Sequence, residues 1–160
     1  MSIPFYAAVS NITDGFCEYL NTGLLSEVVV ASCSIPLVFK PVRFNNKTYI
    51  DGGFFDNLPI KPIRQNSEKL IAVNVNPSKF GNDPNHVLSI GQRCFDLSIW
   101  RNTAEQINKA DVFIDVEEAA RYRLIDVARA DNLYKTGYEK TMAQMPEILP
   151  ILKKKEVLPC

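Results

Sequence analysis

A single histidine, His86, and four widely separated cysteines, Cys17, Cys33, Cys94 and Cys160, leave little metal or thiol chemistry open. Zinc sites draw on clustered His and Cys ligands, and no C-x-x-C pair occurs, so no zinc site is recognisable. A Ser-His-Asp triad would have to use His86. That residue follows the polar stretch Asp83-Pro84-Asn85 and precedes a helical pattern, which marks it as a surface or capping residue. Glycine is equally sparse: Gly15, Gly23, Gly52, Gly53, Gly81, Gly91 and Gly137. No two are four apart, so the strained G-x-S-x-G turn that exposes a nucleophilic serine is absent from the chain. There is no phosphate loop, dinucleotide fingerprint or acidic loop with calcium-ligand spacing, so neither a metal nor a cofactor is expected.

Charge of one sign is also missing. Eighteen basic residues balance eighteen acidic ones, which leaves no net field to gather nucleic acid or an anionic membrane. Lys153-Lys154-Lys155 is the one basic run. It falls short of the clusters of about 4–8 that recruit membranes, and reads as a solvated tail. No apolar run nears the roughly 20 residues that cross a bilayer, so membrane contact would be peripheral. Scattered thiols and the absence of a signal peptide point to a cytoplasmic or membrane-peripheral location.

What remains is a globular chain. It has 160 residues, 46% hydrophobic and 22% charged, enough for one domain with its own core. Ile3 to Ile12 predicts a strand, Asp14-Gly15 a turn, and Phe16 to Leu20 the returning strand. Leu24 to Ser32 predicts a short helix that must end before Pro36. A second hairpin is expected from Val42 to Phe44 and Lys47 to Ile50 around Asn45-Asn46, because asparagine tolerates positive φ. Leu70 to Val75, which alternates less and is more uniformly apolar, predicts a buried parallel strand, followed by a polar loop over Pro77 to Asn85. Val87 to Ala110 predicts a long helix with Val87, Ile90, Cys94, Leu97, Ala104 and Ile107 on one face and Gly91 as its weak point. Asp111 to Val116 is a further strand, and Ala130 to Met145 a helix stopped by Pro146. Strands alternating with helices indicate an α/β fold, with no linker dividing it.

One stretch carries candidate chemistry. Tyr49-Ile50 leads directly into Asp51-Gly52-Gly53, placing a carboxylate at a strand end, where α/β sheets put their sites. Two glycines permit close approach of the main chain to another group. Phe54, Phe55, Asp56 and Asn57-Leu58-Pro59 follow. Asp56 competes for the role of Asp51 but lacks the flanking glycines.

Taken together, Ala31-Ser32-Cys33-Ser34-Ile35-Pro36, Tyr49-Ile50-Asp51-Gly52-Gly53 and Asn57-Leu58-Pro59-Ile60 resemble the patatin-like phospholipase family. That family has an A-S-x-(A/S)-I-P helix end, a Y-x-D-G-(G/A) turn and an N-x-P segment, in this order. Pro4-Phe5-Tyr6-Ala7-Ala8 resembles the strand before the first motif. Leu124 to Tyr138, with Ala130-Asp131 and Gly137-Tyr138, resembles the closing helix of the bacterial members. The resemblance covers about residues 3–145, with 146–160 as a tail, and makes residues 1–160 a partial patatin-like domain.

The resemblance implies the C-terminal part of a three-layer α/β/α sandwich with a mostly parallel central sheet. It implies acyl-ester hydrolysis by a Ser-Asp dyad without a cofactor, on a lipid or ester substrate. Asp51 would be the dyad aspartate. Gly52, Gly53 and Asn57 would form the active-site turn, and Phe54 and Phe55 would line an acyl pocket. Burial beside the two phenylalanines would raise the Asp51 pKa from about 3.9 and make it a better base.

The family's nucleophile and its glycine-rich oxyanion loop have no counterpart here. Ser10, Ser26, Ser32 and Ser34 lie nearest the motifs, and Ser32 and Ser34 read as capping or packing residues. The chain therefore opens where the family is already in the middle of its sheet. Alone it is expected to be inactive and marginally stable, with the missing half or another chain covering an exposed sheet edge. The alternative is a non-catalytic module that binds lipid or protein through the retained fold.

Overall fold

The computed structural model describes residues 3–36, 38–77, 84–122 and 126–153. Gly81, Asp83, Leu124, Lys154, Lys155 and Cys160 lie outside the described residues, as does most of the polar loop after Pro77. The protein is mixed α/β and folds as two units, residues 1–66 with 83–106 and residues 67–82 with 107–160. The chain leaves the first unit and returns to it, so no linker marks the division in the sequence.

The first unit is built on two hairpins. β1 (Ala7–Asn11) and β2 (Phe16–Leu20) pair antiparallel around Asp14-Gly15, and β3 (Val42–Phe44) pairs with β4 (Lys47–Asp51). Asn45 and Asn46 both take the left-handed conformation, at φ 50° and 60°, as a two-residue hairpin turn with the natural strand twist requires. β4 adds antiparallel to β1, giving the order β2-β1-β4-β3, with β2 and β3 as edges. All five β1 residues are buried: strands flank it on both edges, and α1 (Leu25–Ser32) and α2 (Gly53–Asp56) pack against it. Ile3 and Phe5, expected in the same strand, lie before its start and are exposed.

A small core forms on Val9, Ala31 and Tyr49, with Leu20, Val42 and Phe44 packed against it. The Phe44 and Tyr49 rings stack with centroids 4.2 Å apart, worth roughly 0.5–1.5 kcal/mol beyond burial. Ala31 comes from α1. Glu18 of β2, paired with Val9, accepts from Asn11 Nδ2 of β1 at 2.7 Å and from Lys47 Nζ and Tyr49 OH of β4 at 2.9 and 3.1 Å. Burial works against the Glu18 charge, yet these bonds hold its carboxyl below the ordinary value. The unit continues through two short helices, α2 and α3 (Lys61–Arg64), and a long one, α4 (Val87–Ile107).

The second unit contains β5 (Ile71–Asn74) and β6 (Val112–Asp115), paired parallel, and α5 (Ala130–Lys153). The parallel pairing expected for residues 70–75 is present, but β5 is covered on one face only. Ala72 and Asn74 are buried, whereas Ile71 and Val73 are exposed. Parallel pairing among the described residues is confined to these two strands; in the four-stranded sheet, tight turns make the β1–β2 and β3–β4 pairs antiparallel, and β4 adds antiparallel to β1 without one.

Pro146 does not stop the last helix. α5 runs through Pro146 and Pro150 to Lys153. An interior proline costs about 3 kcal/mol through a lost bond and a crowded preceding turn. Between the two, Ile148 is buried in a cluster with Val112, Ile114, Val116 and Ala119, and Met145 and Leu133 pack against it. Burial of such side chains, about 1.5–3 kcal/mol each, sustains the helix past its local breakers. No helix among the described residues is long and apolar enough to cross a membrane.

Candidate active site

β4 delivers Asp51 to the interior of the sheet, opposite Val9 of β1. The next residue passes directly against that strand. A Cβ on Gly52 would stand 2.1 Å from the Ala8 carbonyl oxygen and 2.8 Å from the Ala8 Cβ. The backbone angles of Gly52, φ −62° and ψ −29°, suit any residue, so space alone demands glycine here. The chain then turns at once into α2, with the Phe55 and Asp56 N–H groups donating to Gly52 O at 3.1 and 2.9 Å.

The end of α1 seats the same turn. Asp51 N–H donates to Ser34 O at 2.9 Å and Gly52 N–H to Ser32 O at 3.4 Å. Their hydroxyls are occupied elsewhere: Ser32 Oγ donates to Ala8 O at 2.8 Å and Ser34 Oγ to Val30 O at 2.6 Å. Both serines brace backbone, in line with the capping or packing role read from the sequence. Ser10 Oγ, fully buried, donates to Gly52 O at 3.3 Å.

Asp51 Oδ1 accepts the Gly53 N–H at 2.8 Å. Burial raises the pKa of this carboxyl above its ordinary value, and the Gly53 hydrogen bond offsets only part of that. Gly53 is confined as well. A Cβ there would lie 2.8 Å from Asn57 Oδ1 and 3.0 Å from Asp51 Oδ1. Asp51, Gly52, Gly53 and Asn57 are thus gathered in one turn.

Phe54 and Phe55 meet edge to face, with centroids 4.9 Å apart. Phe54 also stacks on Phe95 of α4 at 5.6 Å. Asp56 is turned the other way. It is buried, and its Oδ2 accepts the Tyr19 hydroxyl of β2 at 2.5 Å, which ties α2 to the sheet. Burial, then the Asp56 hydrogen bond and charge, raises the Tyr19 pKa, and burial followed by the Asp56 charge pushes the nearby Cys17 thiol up to about 11, far from a reactive thiolate. His86 is exposed at the start of α4, where its N–H and carbonyl both bond the Ser89 hydroxyl, at 3.1 and 2.7 Å.

Three residues of α4 that the sequence did not single out reach this turn. Phe95 stacks on Phe54, Asn102 Nδ2 donates to Phe54 O at 3.2 Å, and Thr103 Oγ1 accepts from Asn57 Nδ2 at 3.1 Å. The apolar face expected for this helix is not the one turned inward. Val87, Ile90, Cys94 and Leu97 are exposed, and Thr103 is its one fully buried side chain. A polar anchor at a seven- or eight-residue step from Phe95 leaves no hydrophobic signature, which is why periodicity missed it. Among the described residues, no group of three or more His, Cys, Asp or Glu is placed to hold a metal ion.

Several known proteins match parts of this chain. A lysophospholipase NTE1 of Cryptococcus neoformans is 38% identical over 71 residues, 44% of this chain and 4% of the relative. An NTE family protein of Mycobacterium tuberculosis is 33% identical over 82 residues, 51% of this chain and 23% of the relative. A lysophospholipase NTE1 of Candida albicans is 24% identical over an alignment that takes in 96% of this chain and 14% of the relative. The chain therefore spans a quarter or less of the length of these curated relatives. Residues 4–64, which contain both hairpins, α1 and the whole Asp51 turn, match the model of the patatin-like phospholipase family.

Proposed function

We propose that this chain supplies the base of a Ser-Asp dyad to a lipid acyl hydrolase, and that Asp51 is that base. The observation that carries the reading is the setting of Asp51: a half-buried carboxyl at a strand end, held by one backbone N–H, with a raised proton affinity. A serine hydroxyl attacks an ester only when a nearby base accepts its proton, and a base works best when its pKa approaches the working pH. Asp51 takes the serine proton as Oγ bonds to the carbonyl carbon, then returns it to the departing alcohol. Water repeats the sequence on the acyl-enzyme. Gly52 and Gly53 shape the turn, Asn57 fixes it, and Phe54 and Phe55 offer an apolar wall to the acyl chain.

The serine belongs to a segment outside these 160 residues. The fungal relatives named as lysophospholipases make a single-chain phospholipid the first substrate to try. The test is to combine the chain with a patatin-family segment bearing G-x-S-x-G and follow fatty acid release from a lysophospholipid and from a p-nitrophenyl ester. Serine-dependent release supports the reading. A folded complex that releases nothing from either substrate favours a binding module instead.

A further inference from the structure

We infer that Thr103 of α4 is a positioning residue that fixes which end of the Asn57 amide faces Asp51, and so keeps an acceptor oxygen beside the carboxyl. A hydroxyl has one proton to give and lone pairs to receive. The Thr103 proton is committed, because Oγ1 donates to Ile99 O one helical turn back at 3.0 Å. Thr103 is 3% exposed, so water cannot take part in the exchange. Oγ1 can then only accept, and Asn57 must present its Nδ2 to it, as found at 3.1 Å. The amide oxygen is thereby sent back to the turn, where it and Asp51 Oδ1 crowd the same side of Gly53, 2.8 and 3.0 Å from one point.

The consequence is chemical and rests on reading Asp51 as the base. An amide flipped the other way would offer its N–H₂ toward the carboxylate, stabilise the charge and weaken the base. With the oxygen there, Asp51 has the Gly53 N–H as the one hydrogen bond acting on its pKa, against burial. No charged side chain of β1, α1, α2 or α4 figures among the causes, and Asp56, the other carboxyl of the turn, is engaged by Tyr19. The orientation of one half-buried amide, set from a different helix, is therefore a control on the proton affinity of Asp51.

The test is an NMR titration of the 160-residue chain carrying Thr103→Val, Thr103→Ala or Thr103→Ser. Thr103→Ser keeps the hydroxyl and should leave the Asn57 side-chain protons slow to exchange and the Asp51 midpoint in place. Thr103→Val and Thr103→Ala should each speed that exchange and lower the Asp51 midpoint by about 0.5–1 pH unit. Either of these two variants, folded and with both signals unmoved, overturns the inference, as does a Thr103→Ser midpoint that falls with them. In the serine-complemented protein, Thr103→Val should lower kcat about tenfold with KM unchanged and move the acid limb of the pH profile down. An Asp51 midpoint that moves while the pH profile stays put would count against Asp51 as base, not against the role of Thr103.

Discussion

The chain contains two Asp-Gly dipeptides that follow a strand, and the structure uses them for opposite ends. At Asp14-Gly15 the glycine serves conformation: φ is +84°, and nothing lies within 4 Å of where a Cβ would stand. At Asp51-Gly52 the glycine serves space: φ is −62°, and a Cβ would collide with the Ala8 backbone. The aspartates differ just as sharply. Asp14 lies in solvent, where Asn11 and then Lys47 hold its carboxyl below the ordinary value. Asp51 is drawn inside, and burial raises it. The Asp-Gly that bends the chain is surrounded by water, whereas the one at the candidate site is surrounded by protein.

The sharpest way to break this comparison is to give both glycines a methyl group. Gly52→Ala must displace β1 or α2, and is expected to cost at least about 3 kcal/mol or prevent folding, as read by urea denaturation. Gly15→Ala meets no atom and should cost only about 1 kcal/mol, through its positive φ. Equal losses at the two positions would mean that Gly52 is not confined as described.

Next in size is the response of Asp51 to pH. A carboxyl whose pKa is raised on folding favours the native state below its unfolded pKa, and that contribution is lost as pH rises through the folded value. Asp51→Asn removes the charge but keeps an oxygen for the Gly53 N–H. It should raise the melting temperature at pH 7, with the gain shrinking toward pH 3. Asp14 has the opposite sign: its lowered pKa stabilises above the ordinary carboxylate range, and this fades as pH falls through the folded value. Asp14→Asn should therefore lower the melting temperature slightly at pH 7. That loss, the smallest of the set, should shrink in 1 M salt by the share due to the Asp14–Lys47 pair at 3.2 Å, which solvent reaches. An Asp14→Asn loss that persists in salt would assign the effect to the Asn11 hydrogen bond at 2.9 Å.

How much of this could be read from residues alone depended on whether the signal was local. Asp14-Gly15 and Asn45-Asn46 announce both hairpins, since turn chemistry acts over four residues, and the helix before Pro36 is bounded by proline itself. The catalytic candidate Asp51 and its glycines were legible as a motif, but the reason for Gly52, contact with a strand more than forty residues away, was not. The same limit explains α5, which runs through two prolines with Ile148 buried between them and Leu133 and Met145 packed beside it, and α4, whose inward anchor is a threonine. Long-range packing overrides local propensity in each case. The antiparallel order of the four-stranded sheet follows from pairing β4 with β1, a choice that no single segment encodes.

The most direct measurement compares turnover of Asp51→Asn and Asp14→Asn in the serine-complemented protein, on the same lysophospholipid and at the same pH. Asp51→Asn is expected to lose at least about a hundredfold in kcat while Asp14→Asn keeps its activity. Serine-dependent hydrolysis that survives Asp51→Asn undiminished would contradict the assignment of Asp51 as the base.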